Sequence, residues 1–185
     1  MGRAGYSLAR VLGTFVELSI PRVKLVTPDN IQAAFAELID IAQDDISAVH
    51  QSFFGHWNGE TIAVFNQEGC QELSELLGYN QKDGEKASEQ ELLLDIGNIL
   101  TGACLNGIAE VLKFELNYSA PSIFGQHIAL DKLFNPEHRP WQHCLLTEIH
   151  FGLENYRFKS HLLILLSEES LPVLCQDMEN FIAQI

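Results

Sequence analysis

The most informative segment of the sequence is residues 88–112, SEQELLLDIGNILTGACLNGIAEVL. Apolar residues recur in it every three or four positions, as they do along one face of an α-helix. At 100° per residue the predicted buried face consists of Leu93, Ile96, Leu100, Ala103, Cys104, Gly107 and Val111. The opposite stripe consists of Glu91, Asp95, Asn98, Gly102, Asn106 and Ala109. We therefore predict one long helix that packs its apolar face against a sheet.

The polar stripe of this helix is flatter than a solvated helix face usually is. Exposed helices commonly carry Lys and Glu in i,i+4 pairs, because both residues favour helices and water. Here Gly102 follows Asn98 by about one turn, although glycine costs about 1 kcal/mol of helix stability relative to alanine. Such a surface lets another protein's backbone approach, with Asp95 and Asn98 projecting together. The alternative is an ordinary exposed pair, with Glu91 serving only a capping box that starts at Ser88.

The elements predicted before this helix make up the first of two similar halves of the chain. Residues 15–26 form an extended run whose Pro21 indicates an edge strand or a bulge. A helix and a β-hairpin follow. The hairpin is predicted to turn at Asn58-Gly59, a dipeptide that readily adopts the positive φ angles of tight turns.

The same order of elements returns after the polar, linker-like stretch at residues 79–90. Sliding the chain by 100 positions superposes six identical residues, namely Gly2 on Gly102, Ala9 on Ala109, Val11 on Val111, Leu12 on Leu112, Ser19 on Ser119 and Pro21 on Pro121. We predict an α+β fold in one domain, residues 1–185, built by internal duplication of two α-β-α-β-β halves at about 1–80 and 88–185. The halves are expected to share a mainly antiparallel sheet flanked by helices.

The composition narrows the classes of partner. The chain has 185 residues, with 25 acidic and 11 basic side chains and a formal net charge of −14. Sequence-independent nucleic-acid binding depends on Lys and Arg that neutralise phosphates, so no nucleic-acid partner is predicted. The charge also disfavours an anionic membrane surface, and the sequence predicts neither a membrane-spanning segment nor a secretory leader. We therefore expect a cytoplasmic protein.

The cysteines and histidines do not predict a metal site. The four cysteines, Cys70, Cys104, Cys144 and Cys175, lie far apart and form no C-x-x-C pair. We predict that all four are buried, reduced thiols. The seven histidines are equally scattered. Neither a metal nor a cofactor is expected on this chain.

Asn98 is part of a motif whose residue spacing also occurs in a known family. Three residues separate Glu91 from Asp95, two separate Asp95 from Asn98, and twenty-two separate Asn98 from Pro121. This resembles the CheC/CheX/FliY family of bacterial chemotaxis phosphatases, whose motif is Asp or Ser, three residues, Glu, two residues, Asn, twenty-two residues and Pro. "IGN", residues 96–98, precedes the gap as it often does in that family. Pro121 is then a structural part of the motif.

The resemblance implies a hydrolase that removes the phosphoryl group from the aspartate of a CheY-like response regulator in two-component signalling. In the family the helix docks on the regulator, the Asn orients the attacking water, and the acidic residue pairs with the regulator's lysine. Carried over, Asn98 and Asp95 are catalytic, and Glu91, Thr101 and Gly102 are predicted to contact the partner. The regulator itself supplies Mg²⁺ and the phospho-aspartate.

Two features depart from the family pattern. The family's Glu is Asp95 here, one methylene shorter, and Glu91 stands where Asp or Ser is usual. In the first half, the position twenty-three residues before Pro21 would lie upstream of Met1. We therefore expect further residues upstream of Met1 to complete the first helix and its motif.

A non-catalytic module of the same fold is the alternative hypothesis. It would bind a response regulator, a CheD-type deamidase or the flagellar switch, and the departure at Asp95 favours it. A small-molecule or metal enzyme is disfavoured, because the sequence has no G-x-S-x-G, P-loop or H-E-x-x-H motif. Edge strands at Pro21 or Pro121 would also permit a homodimer.

Overall fold

The computed structural model describes residues 5–6, 9–10, 12–39, 45–76, 89–133 and 144–184. In this part of the chain eight strands form one sheet: β1 (Val16–Leu18), β2 (Arg22–Val26), β3 (Ile46–Gly55), β4 (Gly59–Asn66), β5 (Leu116–Tyr118), β6 (Ser122–Ile128), β7 (Cys144–Leu153) and β8 (Lys159–Ser167). The helices are α1 (Ile31–Leu38), α2 (Gln67–Leu76), α3 (Glu89–Leu112) and α4 (Leu171–Ile182). Short 3₁₀ segments lie at Leu130–Leu133 and Glu168–Ser170. Residues 5, 6, 9, 10 and 12 are also helical. The predicted linker, apart from its last two residues, and the predicted cap at Ser88 lie outside the described residues.

The two halves of the chain build the sheet symmetrically. Its order is β1-β7-β8-β4-β3-β5, with β2 also on β7 and β6 also on β3. Every neighbouring pair is antiparallel. Each edge therefore consists of two short strands that together pair with one long strand. The predicted α+β class, with an antiparallel sheet shared by two similar halves, is confirmed.

Matching hydrogen bonds at the two edges show the duplication in detail. The Ser19 backbone N–H donates to the His150 carbonyl at 3.0 Å, and the Ser19 hydroxyl accepts from the His150 N–H at 2.9 Å. Ser119 makes the same two bonds with Ser52, both at 3.0 Å. In each half a proline follows the serine by two residues and separates the two edge strands. Since proline lacks an N–H, it belongs at such a break.

Alternating residues of the central strands divide the interior into two cores. On β3, Val49 and Phe53 point to the face that α3 covers. Ile46 and Ala48 point to the other face, which α1 and the 3₁₀ segment Leu130–Leu133 cover. Both faces of the sheet are therefore apolar, as expected when helices pack on each side.

Helix α3 is more apolar than the sequence analysis allowed. Its 24 residues, with a mean hydropathy of 1.5 and no more than two charged residues over an 18-residue window, satisfy the length and composition of a membrane span. Half of that window is buried inside the fold, and the core helix of a water-soluble protein can have the same composition. Length and composition alone are weak evidence for a span, so α3 does not overturn the prediction that the chain has no membrane-spanning segment. The cytoplasmic location stays a prediction.

The rotation of α3 on the sheet differs from the predicted one. Ala109 is buried although it was placed on the polar stripe, whereas Val111 is 53% exposed and Gly107 has open space beside it. At Gly97 the helix lies close to the sheet, because a Cβ atom there would be 2.8 Å from Val49 Cγ1. The face of α3 that contains Gly97 therefore packs against the sheet.

The β3–β4 hairpin forms where predicted, but its turn uses different residues. The positive φ angle, 128°, belongs to Gly55, and the Asn58 Oδ1 accepts a hydrogen bond from the Gly55 N–H at 3.3 Å. Gly59 already lies in β4. A Cβ there would come within 2.4 Å of both the Leu165 carbonyl oxygen and Phe53 Cζ. Position 59 therefore requires glycine because of close packing, not because of the backbone conformation of a turn.

The cysteines are buried with one exception. Cys70, Cys104 and Cys144 are buried, whereas Cys175 on α4 is exposed, which corrects the prediction for that residue. Burial raises the pKa of Cys70 and of Cys104 to about 12, so both thiols stay protonated near neutral pH. Among the described residues, no group of three His, Cys, Asp or Glu side chains is placed to hold a metal ion.

Candidate functional site

The outer side of α3 exposes the residues that the sequence analysis selected. Asp95 and Asn98 are exposed one turn apart, and Glu91 is exposed in the first turn of the helix. Asn106 is exposed two turns after Asn98, with the partly exposed Gly102 between them. The structure thus brings the predicted acidic residue and the predicted carboxamide together on one accessible helix face.

The Asn98 side chain is anchored to the sheet by a residue that sequence reasoning missed. Gln51, on β3 beneath the helix, is only 3% exposed. Its Nε2 donates to Asn98 Oδ1 at 3.0 Å and to the Ser119 carbonyl oxygen at 2.8 Å. The signal in the sequence was a large polar side chain between Val49 and Phe53, the apolar residues on the same face of β3. Such a residue needs a partner inside the protein.

The bond from Gln51 to Ser119 gives the spacing between Asn98 and Pro121 a structural meaning. Ser119 is the last residue but one before Pro121, in the break between β5 and β6. The proline ends the β5 pairing, and the bonds between Ser119 and Ser52 fix the chain just before it. The Ser119 carbonyl then reaches the glutamine that holds Asn98. The spacing between Asn98 and Pro121 therefore joins two ends of one hydrogen-bonded path, which runs from Asn98 on the helix through Gln51 to Ser119 beside the proline.

Thr101 does not lie where the sequence analysis placed it. Predicted to contact a partner, it is 2% exposed and faces the sheet. Its Oγ1 lies 3.0 Å from the Thr61 Oγ1, and the Thr61 hydroxyl also contacts the Gln51 carbonyl oxygen at 3.0 Å. Threonine is polar but small, so one hydroxyl partner on β4 is enough for its burial. Thr101 therefore attaches α3 to the sheet and offers no surface to a partner.

A shallow depression of about 370 Å³ extends along α3 beyond Asn98. Its lining residues are Asn98, Ile99, Gly102, Ala103, Asn106, Gly107 and Glu110. At its far end the Tyr118 hydroxyl donates to Asn106 Oδ1 at 2.6 Å, and burial raises the pKa of that tyrosine. Both asparagines thus have an amide oxygen bound to a donor from the sheet side. Their amide nitrogens remain available as donors along the depression.

Gly102 provides a test of whether this flatness has a cost in stability. A Cβ at position 102 would meet only Asn106 Nδ2, at an ordinary 3.8 Å. We expect Gly102→Ala to raise the free energy of unfolding by about 1 kcal/mol, because alanine is the better helix former. Urea unfolding measures this. Gly97→Ala is the matched variant and should not stabilise, since its methyl group meets Val49. A Gly102→Ala protein no more stable than the parent would contradict the prediction.

Comparison with solved structures identifies the fold. No family model matches the sequence, and no curated protein matches it either. Solved structures do match: FliY of Thermotoga maritima has a TM-score of 0.68 at 15% identity, over 100% of this chain and 90% of that one. FliM of H. pylori, solved in a complex with SpeE, has a TM-score of 0.63 at 12% identity, over 100% and 90% of the two chains.

A third structure is CheX of Borrelia burgdorferi in a complex with CheY, BeF3 and Mg²⁺. It has a TM-score of 0.53 at 14% identity, over 90% of this chain and 94% of that one. The fold is that of the CheC/CheX/FliY family. At identities of 12–15% these structures establish the CheC/CheX/FliY fold and leave the activity to be argued from the site.

Proposed function

We propose that this protein is a phosphatase that acts on the aspartyl-phosphate of a CheY-like response regulator. The observation that supports it most is the Asn98 carboxamide, which is exposed at the centre of the outer face of α3 and held from beneath by Gln51. In this proposal α3 docks on the regulator, and Asn98 orients the water that attacks the phosphorus.

An oriented carboxamide suits this chemistry. Phosphoryl transfer to water requires an in-line nucleophile and neutralisation of charge more than covalent participation by the protein. Asn98 Nδ2 carries two N–H donors, and Oδ1 keeps a second lone pair after it accepts from Gln51. Asn98 can therefore donate to a water and accept from it at the same time. The regulator would supply Mg²⁺ together with the phospho-aspartate.

Asp95 would contribute to docking rather than to the attack. Its carboxylate is exposed one turn before Asn98, on the same face of the helix. A carboxylate is repelled by a nearby phosphoryl group, so Asp95 would favour docking by facing a cation such as a lysine of the regulator. The flat surface at Gly102 allows a close approach that offsets the shorter side chain. Exposed Glu91 would lie at the edge of the same contact.

The second candidate is a non-catalytic module that binds a response regulator, a CheD-type deamidase or the flagellar switch. It is favoured by the shorter acid at Asp95, where the family has Glu. A homodimer through the edge strands stays a prediction.

One assay distinguishes the two candidates. CheY-like regulators from the same genome are phosphorylated with ³²P and mixed with the protein, and both loss of label and complex formation are followed. We expect faster loss of label in the presence of catalytic amounts of the protein. Binding without acceleration would establish the non-catalytic module instead, and absence of both would refute the proposed function.

The reach of Asp95 can be tested directly. We expect Asp95→Glu to speed dephosphorylation several-fold at sub-saturating regulator, because the added methylene extends the carboxylate by about 1.5 Å. Asp95→Asn is the matched control, since it keeps the size and removes the charge, and it should raise KM. If the Glu and Asn variants both match the parent protein, Asp95 does not contact the regulator.

A further inference from the structure

We propose that Gln51 is a positioning residue that fixes which way the Asn98 carboxamide faces. The inference rests on the proposed function, in which the exposed half of that carboxamide binds the attacking water. Gln51 has no contact with the regulator in this scheme, because it is buried under α3. Its effect would pass entirely through Asn98.

The direction of both amides follows from a single backbone acceptor. The Ser119 carbonyl can only accept, so the Gln51 atom 2.8 Å away must be the donor Nε2. That nitrogen also lies 3.0 Å from Asn98, so the Asn98 atom facing it must be the acceptor Oδ1. Both hydrogens of Gln51 Nε2 are then used, and Asn98 Nδ2 has to point outward.

The groups on both sides of Gln51 are fixed to the sheet. Two hydrogen bonds to Ser52 hold Ser119 in place. The Gln51 carbonyl oxygen accepts from Thr61, whose hydroxyl also contacts Thr101 of α3. The path from Ser119 through Gln51 to Asn98 therefore starts and ends on backbone that cannot shift independently, as a preorganised donor requires.

Glutamine is a costly choice at this position unless it serves Asn98. Among the described residues, Gln51 Oε1 is buried and has no hydrogen-bond partner. The other half of the molecule shows that the fold does not need an amide there. Ser52 and His150 make equivalent bonds to Ser119 and Ser19, so Ile149 is the counterpart of Gln51. Ile149 is fully buried and apolar.

The test replaces Gln51 with isoleucine, the residue that the other half of the chain has at the equivalent position. Gln51→Ile and the unbranched Gln51→Met are compared with Ser47→Ala, which removes a buried hydroxyl from the same strand on the same face. We expect kcat for a ³²P-labelled CheY-like regulator to fall on the order of tenfold in both Gln51 variants, with KM unchanged. Ser47→Ala should keep both constants.

A readout without turnover accompanies the kinetics. The two N–H signals of the Asn98 side-chain amide should have distinct chemical shifts in NMR spectra of the parent protein, and in Gln51→Ile both should move toward the positions of a solvent-exposed asparagine and exchange faster with water. Unchanged kcat and unchanged Asn98 signals in the Gln51 variant that folds, as judged by circular dichroism, would overturn the inference. If Asn98→Ala is as active as the parent protein, the proposed function fails instead, while the NMR result still tests the orientation.

Discussion

Replacing Asn98 with alanine is expected to slow dephosphorylation of a CheY-like regulator by about 100-fold while the protein stays folded and still docks. The side chain is exposed, and its bond to the sheet at Gln51 is made by the side chain alone. The backbone of α3 keeps its own attachments at Gly97 and Thr101. The variant therefore loses the group that orients water and keeps the surface that binds. Stopped-flow or ³²P release with a titrated regulator separates kcat from KM.

Asn180→Ala provides the matched control for this variant. Asn180 is also an exposed helical asparagine whose Oδ1 accepts from a glutamine, Gln176 Nε2 at 3.3 Å, but it lies on α4. Its replacement removes the same chemistry from another helix and should leave the rate unchanged. Equal rates for Asn98→Ala and Asn180→Ala would rule out the proposed catalytic role of Asn98.

Local patterns in the sequence were enough to place Asp95 and Asn98 on one exposed side of α3. The small residues around Gly102 and the period of the apolar residues identified one exposed side of α3. Pro21 predicted an edge strand or a bulge and Pro121 an edge strand, and the structure places each proline at an edge of the sheet, between two short strands. These features depend on a residue's own helix or strand, so one sequence contains the information.

The contacts that position the site could not be predicted in the same way. Gln51 meets Asn98 across 47 residues and Ser119 across 68, and Thr61 meets Thr101 across 40. Periodicity indicates that a helix has a buried side, but its exact rotation depends on contacts with the sheet such as that of Gly97 with Val49. This is why Thr101 was predicted to contact a partner and is instead buried. Only the three-dimensional pairing of β3 with its neighbours decides such contacts.

Removing the Glu148 carboxylate is expected to lower the free energy of unfolding by about 3–5 kcal/mol, because its two partners lose the charge they face. Glu148 is fully buried on β7, on the face of the sheet away from α3. Arg22 Nε donates to one carboxylate oxygen at 2.8 Å, and His161 Nδ1 lies 2.5 Å from the other. Arg22 also donates to the Leu38 carbonyl at the end of α1. Glu148→Ala would therefore loosen the attachment of β2 and α1 to the sheet.

The pH dependence of stability should identify the same carboxylate. Burial acts to raise the pKa of Glu148, but the hydrogen bonds from His161 and Arg22 outweigh it and lower the pKa below its ordinary value. A carboxyl group with a depressed folded-state pKa stabilises the protein above its unfolded pKa, about 4.3, and this stability is lost as the pH falls through the folded value. We expect the urea midpoint of the parent protein to drop over that acidic range, and that of Glu148→Ala to drop less.

Glu37→Ala is the control for Glu148→Ala, since Glu37 pairs with Lys24 at the surface and should change stability little. A Glu148→Ala protein as stable as the parent would contradict the structural role of the buried carboxylate. Because Glu148 and Asn98 lie on opposite faces of the sheet, the folded fraction of Glu148→Ala should retain the kcat of the parent protein. A parallel loss of kcat would instead mean that the two faces are coupled through β8 and β4, the strands between the Glu148 strand and the Gln51 strand.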